Sequence, residues 1–190
     1  MKKDTLLLHA CCAPCAAHVI GVLGKDFNIT AYFYNPNISP FKEYSKRLSE
    51  LEDYSVKRGF PLVVGLYDPR KWTSAVKVHR FEGERSVRCM FCFRYRLEEC
   101  FRYARDNSFD AVATVMSVSP HKDAAMLNET GRSLKRRYGI EFFEADFKKN
   151  DGYRKSVEIS RTNGFYRQDY CGCVYSSMER KINSLRKTSS

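Results

Sequence analysis

Short apolar runs alternate with amphipathic segments along the chain, and this alternation predicts strands and helices in turn. Residues 6–8 are three successive leucines, a run typical of a strand buried on both faces. Residues 67–88 show little periodicity, which predicts an irregular segment such as a lid. The predicted strands cover residues 5–8, 29–34, 62–66, 111–116 and 140–144. The predicted helices cover residues 16–23, 40–58, 89–107, 120–138, 157–161 and 178–185.

This order of elements predicts an α/β fold, in which helical crossovers join the strands of a parallel sheet. The sequence has no internal repeat, linker or low-complexity segment, so we expect residues 1–190 to form one domain. Residues 39–40 and 119–120 are both Ser-Pro, each follows a predicted strand, and each is expected to begin a helix. Both helices should then start at the carboxyl edge of the sheet, where Cys11 and Cys12 follow the first strand.

The composition is that of a globular protein with an excess of positive charge. The 190 residues are 43% hydrophobic and 29% charged, and 33 Lys and Arg against 22 Asp and Glu give a net charge of +11. Such a charge is typical of proteins with phosphate-bearing partners, although it can also serve solubility alone. No run approaches the ~18 apolar residues of a membrane span. The N-terminal apolar segment is too short for a signal peptide, so we expect a cytoplasmic protein with reduced thiols.

Seven of the eight cysteines fall into three short-spaced groups. Thiolates at such spacings bind zinc, copper(I) or iron–sulfur clusters. The pairs at 12–15 and 89–92 could form a tetrahedral zinc site, but their separation is much longer than in zinc ribbons and three cysteines are left over. A four-iron–four-sulfur cluster accounts for the pattern better, and unligated thiols are the third alternative. The groups are Cys11, Cys12 and Cys15; Cys89 and Cys92; and Cys171 and Cys173.

Cys171 and Cys173 are separated by one residue, so a disulfide between them would be strained. Strained disulfides have high potentials and are often catalytic, which makes this pair a candidate redox dithiol, with two further metal ligands as the alternative. Asp169 lies two residues before the pair, where it could ligate iron, donate a proton or simply face solvent. Cys100 belongs to no motif and is expected to be a buried structural thiol.

Arginines and tyrosines flank the cysteine groups. Arg88, Arg94 and Arg96 surround the second group, where guanidiniums are suited to phosphate contacts. Tyr34 and Tyr170 lie near a predicted strand end and near the third group, where an aromatic face could stack on an unpaired base. Core packing and a solvated surface are the simpler alternatives for these side chains. The arrangement favours a nucleic-acid substrate whose reacting part lies near the thiols.

Four separate motifs, in matching order, resemble the epoxyqueuosine reductase family of the QueH type. The resemblance extends over residues 5–177. It implies reduction of the epoxide of epoxyqueuosine to the alkene of queuosine, at the wobble position of a tRNA anticodon, as the last step of queuosine biosynthesis. It also implies an iron–sulfur centre and a Rossmann-like fold of the adenine nucleotide α-hydrolase group. The motifs are HACCAPC at 9–15, YFYNPNI at 32–38, RCMFC at 88–92 followed by Arg96-Leu97, and YRQDYCGC at 166–173.

The resemblance implies that four cysteines hold the cluster and that Cys171 and Cys173 form a redox pair. Cys15 is left over and could join that pair and a carboxylate around a second, mononuclear metal, either iron or zinc. The sequence does not choose between a redox pair and a second metal. In both arrangements the C-terminal segment, residues 165–190, completes the metal site. The four cluster ligands that the resemblance implies are Cys11, Cys12, Cys89 and Cys92.

Two other functions are compatible with parts of the pattern. A cluster-containing tRNA thiolation enzyme would need ATP, and the glycine-rich phosphate loop of nucleotide-binding relatives is missing after the first strand. A zinc-bound tRNA-binding module without catalysis is the alternative from another class. For the reductase, the epoxide must receive two electrons and two protons, and a Lewis-acidic iron or Asp169 could polarise its oxygen. The electron donor is unknown.

Overall fold

Five parallel strands form one sheet in the computed structural model, which describes residues 3–188. The strands are β1 (Thr5–His9), β2 (Asn28–Phe33), β3 (Leu62–Val64), β4 (Ala111–Thr114) and β5 (Glu141–Phe142). Their order across the sheet is β3-β2-β1-β4-β5, with every pairing parallel. This is the strand order of a doubly wound, Rossmann-like fold, so the predicted α/β class is confirmed.

Helices cover both faces of the sheet. Alternate residues of β1 point to opposite faces, Leu6 and Leu8 into one core and Leu7 into the other, and all three are fully buried. No helix among residues 3–188 is both long and apolar enough to cross a membrane. The helices are α1 (Ala13–Leu23), α2 (Phe41–Arg58), α3 (Pro69–Val76), α4 (Val87–Asp106), α5 (Ala124–Tyr138), α6 (Gly152–Thr162) and α7 (Val174–Thr188).

The two cores differ in which helices they contain. α1, α2 and α6 pack with the face that carries Leu6 and Leu8, whereas α4 and α5 pack with the face that carries Leu7. The buried face of α2 includes Tyr44 and Leu51, in the helical spacing that predicted it. Burial on both faces explains why β1 is apolar at every position from residue 6 to 8.

The crossover between β3 and β4 creates the crevice that holds the site. The chain runs from β1 outward through β2 to β3, and then returns to place β4 on the other side of β1. In open parallel sheets, such a reversal leaves a crevice beyond the carboxyl ends of the two central strands. β1 ends at His9 and β4 at Thr114, so Cys11 and Cys12 enter this crevice directly.

The first helix begins three residues earlier than the sequence predicted, at Ala13 instead of Ala16. Pro14 lies at the start of the helix, where its missing N–H would have no partner within the helix and its fixed φ already fits. Cys12 is therefore the N-cap residue, and Cys15 lies in the first turn. The cysteines of the first group belong to a strand–helix junction and not to a free loop.

The prediction that both Ser-Pro pairs begin helices is only half correct. Pro40 is the N-cap residue of α2, so that helix begins directly after residues 39–40. At residues 119–120 no helix begins, because a short 3₁₀ helix, Val115–Val118, follows β4 and α5 starts later, at Ala124. Asp123 caps α5 by accepting a hydrogen bond from the backbone N–H of Met126 at 3.1 Å.

The prediction of an irregular segment over residues 67–88 is wrong for its first half. α3 forms there and continues into a 3₁₀ helix, Lys77–His79. Trp72 and Val76 are the buried side chains of α3, and they pack beside Cys92. The helix is short, so its apolar periodicity rests on too few residues to be recognised in the sequence.

Gly131 provides a test of how closely α5 approaches β5. A Cβ atom at this position would lie 2.2 Å from the ring of Phe142, whereas at Gly21, in α1, it would meet nothing within 4 Å. We expect Gly131→Ala to destabilise the fold by about 1–3 kcal/mol through overpacking. Gly21→Ala should stabilise it by up to ~1 kcal/mol through helix propensity. Urea unfolding measures the free energy of unfolding of both variants. A change of the same sign in the two variants would contradict the close approach of α5 to β5.

Candidate functional site

The three cysteine groups lie at the N-terminal ends of three helices that meet beyond the carboxyl edge of the sheet. Cys12 caps α1, and Cys15 lies in its first turn. Cys89 lies in the first turn of α4, and Cys173 directly precedes Val174, the first residue of α7. The N-terminus of a helix carries a partial positive charge and lowers the pKa of nearby thiols. The fold thus places each group where a thiolate is stabilised.

The thiols of Cys11, Cys12 and Cys15 form one hydrogen-bonded set. The Sγ atoms of Cys11 and Cys12 are 4.0 Å apart. Hydrogen bonds from Cys12 and Cys15 hold the pKa of the Cys11 thiol well below its usual range. The same contacts raise the pKa of Cys15, and the bond with Cys11 raises the pKa of Cys12 to about 12. Hydrogen bonding within the set therefore favours ionisation of Cys11 over that of its two neighbours.

The second and third cysteine groups lie together in a neighbouring set. The Sγ atoms of Cys171 and Cys173 are 3.4 Å apart. The hydrogen bond from Cys173 holds the pKa of Cys171 well below its usual range and raises that of Cys173. Burial raises the pKa of the Cys89 thiol, and the charges of Cys92 and Cys171 add to the increase. Cys92 also packs with Cys173 against Trp72.

Nitrogen donors point at several of the sulfur atoms. The side-chain amide of Gln168 donates to Sγ of Cys12 at 3.1 Å. The backbone N–H of Arg85 donates to Sγ of Cys89 at 3.3 Å, and that of Ser176 donates to Sγ of Cys173, also at 3.3 Å. Hydrogen bonds of this kind stabilise thiolates and tune the potential of sulfur-ligated metal centres.

A cavity of about 430 Å³ lies against both sets of thiols. Cys11 and Cys15 line it from one set and Cys171 from the other. Its volume falls within the range of pockets that enclose a small molecule or a single base. The loops after β4 and the segment before α7 contribute further side chains, including Lys122 and Gln168, and helices α2, α4 and α6 complete the wall. Reactive sulfur therefore lines a partly enclosed cavity.

Two buried cations, Arg47 and Arg96, and one largely buried cation, Lys122, line the cavity. Lys122 forms an ion pair with Glu84 at 3.2 Å, and its side chain is 11% exposed. Burial lowers the pKa of Lys122, but the charges of Cys171, Glu84 and the second cysteine group outweigh it, so the pKa is raised. An ammonium group held beside several thiols offsets their negative charge.

Arg47 connects α2 to the C-terminal segment. Its guanidinium pairs with Glu43 at 2.6 Å and donates to the carbonyl oxygens of Tyr170 and Cys171 at 3.4 and 3.3 Å. Gly172 adopts φ +106°, and a Cβ atom there would lie 3.1 Å from Nη1 of Arg47. Only glycine combines this backbone conformation with so close an approach. The segment before α7 therefore reaches the site along a defined path.

His9 is a neutral, fully hydrogen-bonded residue beneath the thiols. Its Nδ1 lies 3.0 Å from the hydroxyl of Thr114, and its Nε2 lies 3.3 Å from the carbonyl oxygen of Tyr34. Burial, and after it the charge of Arg96, lowers the pKa of His9 to about 3. The imidazole is therefore neutral near pH 7 and is not a general acid, and its hydrogen bonds join the ends of β1, β2 and β4.

Asp169 lies at the cavity wall but is exposed to solvent. Its carboxylate forms an ion pair with Arg180, a residue of α7 that is also exposed. This position is compatible with proton donation or with an approach to a metal, and it also ties α7 to the segment before it. The roles proposed for Asp169 stay predictions.

Burial limits the part that two of the predicted nucleic-acid contacts can play. Arg88 is 2% exposed, and its guanidinium pairs with Glu179 at 2.6 Å. Tyr34 is 8% exposed and stacks on Tyr95 with 6.4 Å between ring centroids. Both side chains are engaged inside the protein, so neither is placed to meet a phosphate backbone from solvent.

The other three predicted contacts are placed more favourably. Arg94 is exposed on α4. Arg96 is 4% exposed but lines the cavity, where it donates to Oδ1 of Asn35 at 2.5 Å while its Nε lacks a partner among the described residues. Tyr170 also lines the cavity, and its hydroxyl donates to the carbonyl oxygen of Ser39 at 3.2 Å. Arg96 and Tyr170 are thus cavity residues and not part of an outer surface.

Sequence reasoning missed Lys122, Arg47 and Gln168, all of which approach the thiols. Lys122 follows a Ser-Pro-His sequence and Arg47 lies within a helix rich in charge, so neither differs in sequence from a solvated cation. Gln168 lies within a motif that was noted for its cysteines. Their roles depend on burial beside distant residues, which the local sequence does not reveal.

The donor set suits a sulfur-ligated metal centre. Among the described residues, no three His, Cys, Asp or Glu side chains are already arranged around a single metal position. Seven thiols nevertheless converge, and the pKa of one thiol in each set, Cys11 and Cys171, is held well below its usual range. N–H···S hydrogen bonds to Cys12, Cys89 and Cys173 provide further support for bound thiolates. This chemistry fits a soft metal or an iron–sulfur cluster.

Comparison with known proteins identifies the family. The family model described as epoxyqueuosine reductase QueH matches residues 6–179. The epoxyqueuosine reductase QueH of Histophilus somni is 39% identical over 192 aligned residues, which cover 97% of this chain and 78% of that protein. The protein of the same name from Thermotoga maritima is 36% identical, with 93% of this chain and 92% of that protein covered.

A solved structure supports the fold. The predicted subunit of a tRNA methyltransferase from Methanocaldococcus jannaschii superposes with a TM-score of 0.53, covering 81% of this chain and 76% of that chain. At 15% identity this likeness concerns the fold alone. The family model and the relatives together extend over nearly the whole chain, including all three cysteine groups. The chain belongs to the epoxyqueuosine reductase QueH family.

Proposed function

We propose that this protein reduces the epoxide of epoxyqueuosine at the wobble position of tRNA, which yields queuosine. Membership of the family and the names of its relatives support this activity. The observation that carries it is the placement of two thiol sets against one partly enclosed cavity, with Cys11 and Cys171 both in its wall. An enclosed, electron-donating site is what the two-electron reduction of a single nucleotide requires.

We further propose that four cysteines hold a four-iron–four-sulfur cluster. Thiolates are the usual ligands of such clusters. The N–H donors of Gln168 and Arg85 reach Sγ of Cys12 and Sγ of Cys89, which are two of the four proposed ligands. When bound, the cluster would supply single electrons at low potential. The proposed ligands are Cys11, Cys12, Cys89 and Cys92.

Cys171 and Cys173 have a separate role in this proposal. Their Sγ atoms lie 3.4 Å apart within hydrogen-bond distance, so the pair could give two electrons and release its protons by forming a disulfide. The competing arrangement places a second, mononuclear metal, iron or zinc, between this pair, Cys15 and Asp169. The iron content of variants separates the two arrangements, as described below.

The chain's own cations assist the departure of oxygen. Conversion of an epoxide to an alkene breaks two C–O bonds, forms one C=C bond, consumes two electrons and two protons and releases water. Negative charge develops on the oxygen, and Nζ of Lys122 and the guanidinium of Arg96 line the cavity where it would form. In this proposal Asp169, which lines the cavity and is exposed, hands a proton inward from solvent.

The substrate must present its base outside the stack of the anticodon loop. Single-stranded loops allow bases to splay outward into a pocket, and the cavity of about 430 Å³ can hold one. The net charge of +11 supports binding of the surrounding phosphates. A tRNA substrate implies a cytoplasmic site of action, and the electron donor is not identified.

The cluster ligands are tested by replacing one thiol at a time. We expect Cys89→Ser to lose iron and sulfide after anaerobic purification, because a four-thiolate site cannot spare a ligand. Cys100→Ala is the matched control, because this buried thiol belongs to neither thiol set. It donates to the carbonyl oxygen of Arg96, with a donor–acceptor distance of 3.2 Å. The control should keep iron, sulfide and activity, at a stability cost of about 1 kcal/mol. Full iron and sulfide in Cys89→Ser, or zinc alone in the wild type, would refute the cluster assignment.

The role of the third cysteine group is tested by sulfide and iron together. If Cys171 and Cys173 form a redox pair, Cys171→Ser should keep the full cluster content and lose turnover. If they bind a second metal, the same change should lower iron by about one atom per chain while sulfide stays constant. A parallel fall of sulfide would make Cys171 a cluster ligand and would release one of the four assigned residues.

Phosphate contact is tested by the salt dependence of RNA binding. Affinity for tRNA should fall as salt rises, and the exposed Arg94, when changed to Ala, should reduce the slope by about 1. Arg88→Ala should leave the slope unchanged and instead lower stability by about 1–3 kcal/mol, because its partner Glu179 and two carbonyls lose a donor. Binding that is indifferent to salt would contradict the nucleic-acid assignment.

A further inference from the structure

A surface beside the cavity exposes large apolar side chains that the catalytic site does not use. Residues 77–94 run from the 3₁₀ helix into the first turns of α4, and we call their exposed face the aromatic rim. Phe81 is 87% exposed and Phe91 is 41% exposed. Val78 and Met90 are also exposed, at 73% and 40%. Four large apolar side chains exposed within one short segment are a candidate binding surface.

The aromatic rim is anchored to the mouth of the cavity. The guanidinium of Arg85 donates to the carbonyl oxygens of Pro120 and His121 at 2.6 and 3.3 Å, and both acceptor residues line the cavity. Glu84 lines the cavity itself. Phe81 lies four residues before Arg85, so the two Cα atoms are at most about 14 Å apart. A molecule whose reacting part enters the cavity therefore passes close to the rim.

The charge of the rim favours a polyanion. Both carboxylates of residues 77–94 are engaged, Glu82 with His79 at 2.7 Å and Glu84 with Lys122 at 3.2 Å. The guanidinium of Arg80 lies over the Phe81 ring, 4.4 Å from its centroid. The exposed cations of the segment are Lys77, Arg80, Arg85 and Arg94.

The two aromatic rings of the rim, Phe81 and Phe91, are exposed to solvent and could stack on another ring. Phe91 stacks on His79 with 4.7 Å between ring centroids and 23° between ring planes. The combination of exposed rings and cations is the one that binds single-stranded nucleic acid, because every base has a face on which a ring can stack. A protein partner would explain the exposed apolar side chains but not the cations around them.

We propose that the aromatic rim binds the single-stranded RNA loop around the reacting nucleotide, with Phe81 and Phe91 stacking on its neighbouring bases. This inference rests on the proposed function and extends it to the recognition of the loop. A nucleotide that leaves the stack to enter the cavity also unstacks its neighbours, and the rim would replace the lost stacking. The cations of the rim would meet the phosphates between these bases.

The test compares binding of two RNAs by fluorescence anisotropy at one salt concentration. The probes are a labelled anticodon stem–loop and a labelled RNA duplex of equal charge. Phe81→Ala and Phe91→Ala should each weaken binding of the stem–loop about tenfold and leave binding of the duplex unchanged. Phe81→Trp should retain binding of the stem–loop, because tryptophan also offers an aromatic ring on which a base can stack. Phe81→Leu should lose binding, because leucine keeps the apolar volume but has no aromatic ring.

Two controls separate a loss of stacking from a loss of structure. Val56→Ala and Leu66→Ala remove apolar side chains that are 84% and 73% exposed outside the rim, and both should bind the stem–loop normally. Iron and sulfide content should be unchanged in every variant, which shows that Phe91→Ala has not disturbed the neighbouring Cys92.

The outcomes distinguish failure of this inference from failure of the proposed function. Unchanged stem–loop binding in Phe81→Ala and Phe91→Ala, or an equal loss for stem–loop and duplex, would overturn the rim assignment while the reductase stands. The rim assignment would also be overturned if Phe81→Ala and Phe91→Ala bind RNA normally, turn over with a chemical reductant, and lose turnover only with a protein electron donor. The rim would then be a docking surface for that donor. A wild type that neither binds the stem–loop nor reduces the epoxide would refute the proposed function itself.

Discussion

The whole site depends on the convergence of three helix N-termini at one edge of a parallel sheet. Thiolates repel one another and are costly to bury, so seven cysteines cannot gather without compensating positive charge. The ends of α1, α4 and α7 supply part of it, and the buried Lys122 and Arg47 supply more. Because Arg47 also fixes the backbone at Tyr170 and Cys171, the same cation that balances charge completes the wall.

The fold was predictable because β1 is buried on both faces. A strand with an unbroken leucine run is buried on both faces, which requires helices on both sides of the sheet. The alternation of strands and helices that follows then predicts a parallel sheet with helical crossovers. Helix boundaries were less predictable. Pro14 was compatible with a loop as well as with a first turn, and at residues 119–120 the Ser-Pro signal competed with Asp123, whose side chain caps α5. Local signals of equal strength are resolved only by packing.

The site was predictable to the extent that its chemistry appears in short motifs. The spacing of the cysteines identified the candidate thiols, and their position after the first strand placed Cys11 and Cys12 at the carboxyl edge, where β1 ends and α1 begins. Charged residues gave no comparable signal, because a charge in sequence normally indicates exposure. Arg88 is buried only because Glu179, 91 positions away, meets it, and Lys122 is buried only because the loop after β4 folds toward Glu84. Such pairs are properties of the tertiary structure alone.

The junction between β1 and α1 explains how a nucleotide-binding type of fold can serve redox chemistry. In dinucleotide-binding relatives of this architecture, glycine-rich turns leave backbone N–H groups free to hold phosphate at the helix N-terminus. Here Cys11, Cys12 and Cys15 occupy that position, and Pro14 removes one of the N–H groups. The positive end of the helix is kept, but it now stabilises thiolate sulfur. A phosphate-bearing substrate would therefore be bound elsewhere, and exposed cations such as Arg80 and Arg94 lie outside the cavity, on the rim for which we propose contact with an RNA loop.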